Sequence, residues 1–444
     1  MSAGPDGVTP RAEDKPDKPS PVLPHRLRVV LPALVALDAG LLLTAHVLQG
    51  ASTEVNGSAP FGMLSPHTAS SDNLMSAAKR LANAHAWACV AVVVGLSGLW
   101  PYMKLALTLS IVGAVDTCTI KRSRGRRLLQ FLEVAGKYSF ADVFLICFNF
   151  VIFDISTGGS YRILGAMSLE LNMWMQLHFA PIGLIIAVTV STFLTRWAAF
   201  EMSPREGEEK PLLASVDAGE AREPPPKRSV AMHACAMLVA LVGGILLIVG
   251  AQRPMIRVER GGFLGNLIRP EEDRNQELSV MSIFAHMLAG GGAGPGAYNT
   301  ILAAFWLALT VVAPLLEFVF LAADAIACRM ATASWASKWT AIGAEWAHSF
   351  GCVDVLLIVA AVLLLELHTV VEFNIGDECA PFESMMSNRV ELTIAGLGFA
   401  TSDECFTTGP SLGPGSGILA AVILFRFGAW RLNDMLRGYG IGHC

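Results

Sequence analysis

GLWPYMKLALTL, residues 98–109, lies inside a nearly unbroken apolar run from about His85 to Cys118, yet it carries Pro101 and, three residues later, Lys104. A helix through the whole run would be roughly 50 Å long at 1.5 Å per residue, against a hydrocarbon core of about 30 Å. Such a helix must tilt, break or protrude. Proline marks a place for the break, because it has no N–H and leaves the carbonyl four residues earlier, here that of Ser97, without its helical donor. A charge at a helix centre costs about 2.5–3.5 kcal/mol on insertion scales, so Lys104 is expected to face a partner or a wet cavity, or to snorkel to an interface.

The rest of the chain has the same character. Of 444 residues, 53% are apolar and only 16% charged, with a mean hydropathy of +0.52. A soluble protein of this size carries about 25% charged residues. Eight runs are long enough to cross a bilayer: about 29–48, 86–118, 140–157, 178–197, 230–251, 298–326, 350–370 and 415–432. The last is interrupted by Arg426. The expectation is an all-α polytopic membrane protein of about eight transmembrane helices with small extramembrane loop regions.

Orientation follows the lysines and arginines, which collect on the cytosolic side. KRSRGRR, Lys121 to Arg127, is the clearest anchor, and it sets both termini in the cytosol. Residues 1–28 are proline-rich and acidic and read as a disordered cytosolic tail. A second charged, proline-rich stretch, 198–229, reads as a cytosolic linker, and 433–444 as a cytosolic C-terminal tail. On the opposite side fall the sequon Asn56-Gly57-Ser58, a glycosylation candidate, and Cys379 and Cys405, a disulfide candidate in an oxidising compartment. The secretory pathway or the plasma membrane suits these features.

The linker separates two membrane regions, 29–197 and 230–432, of four spans each. Pro314 in APLLEF is followed three residues later by Glu317, as Pro101 is by Lys104. ADVFLICFNFVIF (141–153) aligns with VDVLLIVAAVLLL (353–365) through Asp142 and Asp354. Two tandem four-helix modules in the same orientation, a parallel repeat, are therefore expected. The opposite charges of Lys104 and Glu317 at equivalent places raise the expectation that they pair across the module boundary.

GLWPYMKLALTL followed by GKYSFADVF resembles the paraquat-inducible protein A family of integral membrane proteins, in which a Pro-x-x-Lys span and a W/Y-S-x-x-DVF span recur. The second half is similar to a divergent eukaryotic branch of that family around HSFGCVDVLLIVAAVLLLELHTVVEFNIGDEC. Paired CxxC zinc-ribbon motifs, which bacterial members carry, do not occur in this sequence. The resemblance implies a lipid-transport component, with membrane lipids and a separate lipid-transfer protein as partners. A proton- or ion-coupled small-solute transporter and a non-transporting scaffold are the alternatives.

Other residues refine this. Ser139-Phe140-Ala141-Asp142 reads as a capping box opening the third span, with a weaker, glycine-led version before Asp354. Asp38, near the middle of the first span, is the best remaining candidate for a proton or ion site. No Walker A sequence and no H-E-x-x-H occurs, and Gly409-Pro410-Ser411-Leu412-Gly413 fits a loop entering span eight. The chain reads as no enzyme, with no catalytic residue, cofactor, metal site or nucleic-acid partner expected.

Overall fold

The computed structural model describes residues 25–58, 67–152, 155–156, 161–163, 167–202, 230–261, 275–290, 296–329, 334–369 and 407–438. The described chain is mostly helical, and eight of its helices are long and apolar enough to cross a membrane. They are the first to eighth spans: Leu27–Val47, Trp87–Asp116, Arg122–Ile152, Phe179–Glu201, Val230–Gln252, Ala297–Ala327, Ala336–Thr369 and Pro414–Leu436. Leucines and isoleucines such as Leu41, Leu43, Leu241, Ile245 and Leu424 stand exposed on them. Exposed apolar side chains in such numbers fit lipid as the surrounding solvent.

The third and seventh spans are longer than their hydropathy suggests. The third begins at Arg122, so the basic KRSRGRR run is its opening turns and not a loop. Leu129, Leu132 and Gly136 bury one face of those turns, while Lys121, Arg124 and Arg127 remain exposed. The seventh begins well before residue 350 and is interrupted at Gly351 and Cys352, where the helix pauses before resuming at Val353. The eighth-span helix continues to Gly438, into the stretch read as a tail.

Two antiparallel sheets stand beside the spans, in the regions expected as extramembrane loops. The five-stranded sheet joins β1 (Ala51–Ser58), β2 (His67–Asp72), β3 (Ile155–Ser156), β4 (Tyr161–Ile163) and β5 (Met167–Leu177), in the order β2-β1-β5-β3 with β4 against β5. The three-stranded sheet joins β6 (Ile256–Gly261), β7 (Asn275–Leu278) and β8 (Thr407–Leu412), in the order β7-β6-β8. The stretch around Pro410 is therefore strand β8 and not a loop. Pro410 sits opposite Val258 at the sheet edge, where its missing donor is tolerated.

The sheets tie span ends together. β1 follows the first span and pairs with β5, which leads into the fourth, starting at Ala51↔Leu177. β6 follows the fifth span and pairs with β8, which leads into the eighth, starting at Ile256↔Leu412. β2 and β7 each lead into a ten-residue helix, Leu74–Asn83 and Val280–Ala289. Each of these helices opens with a capping box, Asn73 with Ser76 and Ser279 with Ser282. Such reciprocal bonds satisfy two otherwise orphaned backbone donors.

The first span packs along the fourth, and the fifth along the eighth. The third is the most enclosed of the eight. Its Phe144 and Phe148 meet Trp306 of the sixth span edge-on, at 5.2 and 5.6 Å between ring centroids, so aromatic packing joins the first four spans to the last four. Cys89, Cys147 and Cys352 are buried apolar fillers. Cys379 and Cys405 lie outside the described residues, as do 1–24 of the N-terminal tail and 203–229 of the linker.

Candidate functional site

Both prolines sit just past a widened turn. A π-helical segment, Ala91–Leu99, precedes Pro101, and another, Ala308–Val312, precedes Pro314. Trp100 N–H reaches Gly95 O, and Ala313 N–H reaches Ala308 O. Such five-residue steps insert an extra residue before the ring, the usual way a helix accommodates an interrupted ladder. Ser97 and Thr310, four residues before each proline, are fully buried.

The backbone N–H groups of Asp142 and Cys352 dock on these segments. Asp142 N–H donates to Ser97 Oγ at 3.1 Å, and Cys352 N–H donates to Leu309 O at 3.0 Å. The capping box expected at Ser139 is therefore not formed. Ser139 lies in a 3-10 turn, Lys137–Phe140, that carries the third span through without a break, and its hydroxyl has no hydrogen-bond partner among the described residues. A continuous helix has no orphaned N–H groups at this point for a serine to cap.

Lys104 and Glu317 are each 0% exposed, and they do not meet. Lys104 Nζ donates to Ser191 Oγ at 3.1 Å and Thr192 Oγ1 at 2.9 Å, both on the fourth span. Its charge is coupled to Glu133 and Asp38 without a direct bridge to either. Glu317 is held by the eighth span and by the seventh. Arg426 Nε lies 2.6 Å from Oε2, Trp430 Nε1–H donates to Oε1 at 2.5 Å, and His348 Nδ1 lies 2.8 Å from Oε1. Arg426 completes its donors on Gly351 O (3.0 Å) and His348 O (2.8 Å). The expected Lys104–Glu317 partnership is thus replaced by two local ones, because each charge finds a partner on the last span of its own half. Arg426, the interruption in the eighth span, is that partner for Glu317.

Between the halves runs a row of charged groups that the sequence reading missed. Arg196 of the fourth span binds Glu133 of the third through Nη1–Oε1 at 3.0 Å and also bridges to Glu345 of the seventh. Ser349 donates to Glu133, and the Arg196 guanidinium lies 5.8 Å from the Trp346 ring centroid. Four residues further along the third span, Lys137 Nζ lies 2.5 Å from Asp354 Oδ2, and Tyr138 O–H donates to the same oxygen at 3.3 Å. Asp354 therefore acts across the halves more than as a helix cap. A signal for this row was present: Glu133 and Glu345 each stand nine residues before the aligned aspartates, Asp142 and Asp354.

Asp38 is 0% exposed, and neither carboxylate oxygen has a hydrogen-bond partner among the described residues. Asn56 lies in β1, opposite Asn172 of β5. Arg28 bridges to Asp116 at 2.6 Å, placing those two span ends side by side.

Eight helices long and apolar enough to cross a membrane, with ion pairs buried between them, mark a multi-pass integral membrane protein. Residues 60–157 match the family described as Paraquat-inducible protein A, so the resemblance carried by GLWPYMKLALTL and GKYSFADVF holds over the second and third spans. Pro101, Lys104 and Asp142 fall within the match; the fourth span and the second half lie beyond it. Neither the curated proteins nor the solved structures give a match.

Proposed function

We propose that this chain is a lipid-transport component of a cellular membrane, built from two tandem copies of one four-span module. The observation that carries the reading is the charged row between the halves, Glu133–Arg196–Glu345 with Lys137–Asp354. A scaffold needs only a dry, packed interface, and burying ion pairs there is at best neutral for stability. A polar track inside a membrane bundle suits a protein that passes or presents a polar headgroup.

Support for the two copies comes from matching positions. Ser191, which holds Lys104, stands fourteen residues after Leu177; Arg426, which holds Glu317, stands fourteen after Leu412. Those leucines are the equivalent last residues of β5 and β8. The strand order β2-β1-β5 has its counterpart in β7-β6-β8, and each half has a capped ten-residue helix and a π segment before its proline.

In this reading both termini face the cytosol, Asn56 carries a glycan on the far side, and a separate lipid-transfer protein receives the lipid. The chain performs no covalent chemistry of its own. The test is exchange of a fluorescent phospholipid between leaflets or to acceptor vesicles in proteoliposomes. Wild type should exceed protein-free liposomes, and Arg196→Met with normal folding should lose most of the excess. A folded wild type no faster than empty liposomes, with and without acceptor, refutes lipid transport; movement of a small solute instead selects the solute-transporter alternative.

A further inference from the structure

We propose that the first half holds an intramembrane proton site, with the Asp38 carboxylate as carrier and the Lys104 ammonium as its counter-charge, whereas the equivalent site in the second half is a fixed, neutral structural pair. The proposal uses the two-copy reading to compare the halves and does not depend on what the protein transports.

The comparison is positional. Asp38 stands thirteen residues before Ala51, where β1 begins, and Gly243 stands thirteen before Ile256, where β6 begins. In the second half no carboxylate occupies that place; the Phe318 ring packs so closely that a Cβ on Gly243 would lie 2.5 Å from it. Glu317 there is met by Arg426, and the guanidinium is in turn bonded to two backbone carbonyls. Every charge in that site is matched.

The first half is built differently. Among the described residues Lys104 donates to two hydroxyls, those of Ser191 and Thr192. Of the two carboxylates that feel its charge, Glu133 is bound to Arg196 and Ser349, while Asp38 is bound to nothing among the described residues. Tyr102 of the second span and His46 of the first are bonded to each other at 3.0 Å. Depth agrees as well. With Arg28 and Asp116 in contact, Asp38 is ten residues and Lys104 twelve from that common end, or about 15 and 18 Å along their helices.

A buried carboxylate with no donor is strongly disfavoured as an anion unless something neutralises it. A metal cation would require about six oxygen ligands and would sit beside an ammonium. A proton requires neither. Uptake from water forms one Oδ–H bond on Asp38 and changes the Asp38–Lys104 site from net neutral to net positive; release reverses this. Lys104, the counter-charge, stands three residues past Pro101 and the π-helical segment before it, the part of the second span whose helical ladder is already interrupted.

The test is infrared difference spectroscopy of the full-length protein in lipid, following the carbonyl band of a protonated carboxylic acid as pH is stepped. Wild type minus Asp38→Asn should show a pH-dependent acid band that shifts in deuterated buffer and is unchanged when sodium replaces choline. Asp38→Glu should move the band without abolishing it, and this comparison serves if Asp38→Asn does not fold. A band unmoved by either substitution overturns the proposal, as does one that sodium erases, which would make the site a cation site. Because lipid movement is not measured, failure here leaves the transport reading standing, and the converse also holds.

Discussion

Glu317 and Arg426 provide the sharpest test of how charge is held in this bundle. Glu317 is fully buried, and Arg426 reaches it at 2.6 Å while 4% exposed itself. Removing one member of a buried pair leaves the other uncompensated and costs about 3–5 kcal/mol. Arg426→Leu would leave the carboxylate with only the donors of Trp430 and His348. Glu317→Gln would leave the guanidinium with two carbonyls and no directly bonded counter-charge. Each single variant should therefore lose about 3–5 kcal/mol, and the double variant less than the sum, with a coupling energy of about 2–3 kcal/mol. The assay is reversible unfolding in mixed lipid–detergent micelles, read by tryptophan fluorescence and arranged as a double-mutant cycle. A parallel cycle between Lys104→Gln and Glu317→Gln should be additive within about 0.5 kcal/mol, as for independent sites. Single costs below about 1 kcal/mol, or coupling between Lys104 and Glu317 in place of Glu317 and Arg426, would refute the reasoning.

Three further outcomes follow. Gly136→Ala would put a methyl group onto the Lys104 ammonium, so it should cost about 1–3 kcal/mol by overpacking; combining it with Lys104→Ala should recover most of that in the same unfolding assay. Lys137→Met, which leaves Asp354 without its cation, should weaken docking of the halves; co-purification of two separately expressed halves, split within 203–229, should fall several-fold, while Tyr138→Phe should have a much smaller effect. Ser279→Ala removes a capping-box oxygen from the helix Val280–Ala289 and should cost about 1 kcal/mol, read as faster amide hydrogen exchange confined to that helix.

The membrane class was legible because hydropathy is a local property. So was the device of proline and charge at 101–104 and 314–317, since a proline and a charge inside an apolar run each carry a cost wherever the chain goes. The extents of the third and seventh spans were not legible. Arg122 to Gly136 is amphipathic, and its helicity depends on Leu129 and Leu132 finding neighbouring spans to bury against. The sheets were hidden for a related reason. ASTEVNGS has no clear apolar alternation, and β1 exists through its register with β2 and β5, the latter more than a hundred residues away. Nor could the sequence assign Glu317 to Arg426, because opposite charges at aligned positions look the same whether they pair across halves or find local partners.

In the proposed two-copy reading, the local partners also explain how equivalent sites can hold unlike residues. Counting from the aligned aspartates, Gly136 of the first half corresponds to His348 of the second, and Ser139 to Gly351. Where the second span supplies the long Lys104, the facing residue is Gly136, with no room for a Cβ. Where the sixth span supplies the shorter Glu317, the facing residue is His348, whose ring fills the space and reaches the carboxylate. On the opposite wall the short Ser191 corresponds to the long Arg426, and there Gly351 makes way, since a Cβ on it would lie 2.8 Å from the guanidinium. Close packing disfavours changing one of these residues alone, so in that reading each difference of charge goes with a compensating difference of volume. Asp38 is the exception. Its positional counterpart in that reading is Gly243 beneath the Phe318 ring, and among the described residues no hydrogen-bond partner meets the carboxylate. A fully buried carboxylate with no donor among the described residues is held there at a cost, which is the physical reason to look for a proton there.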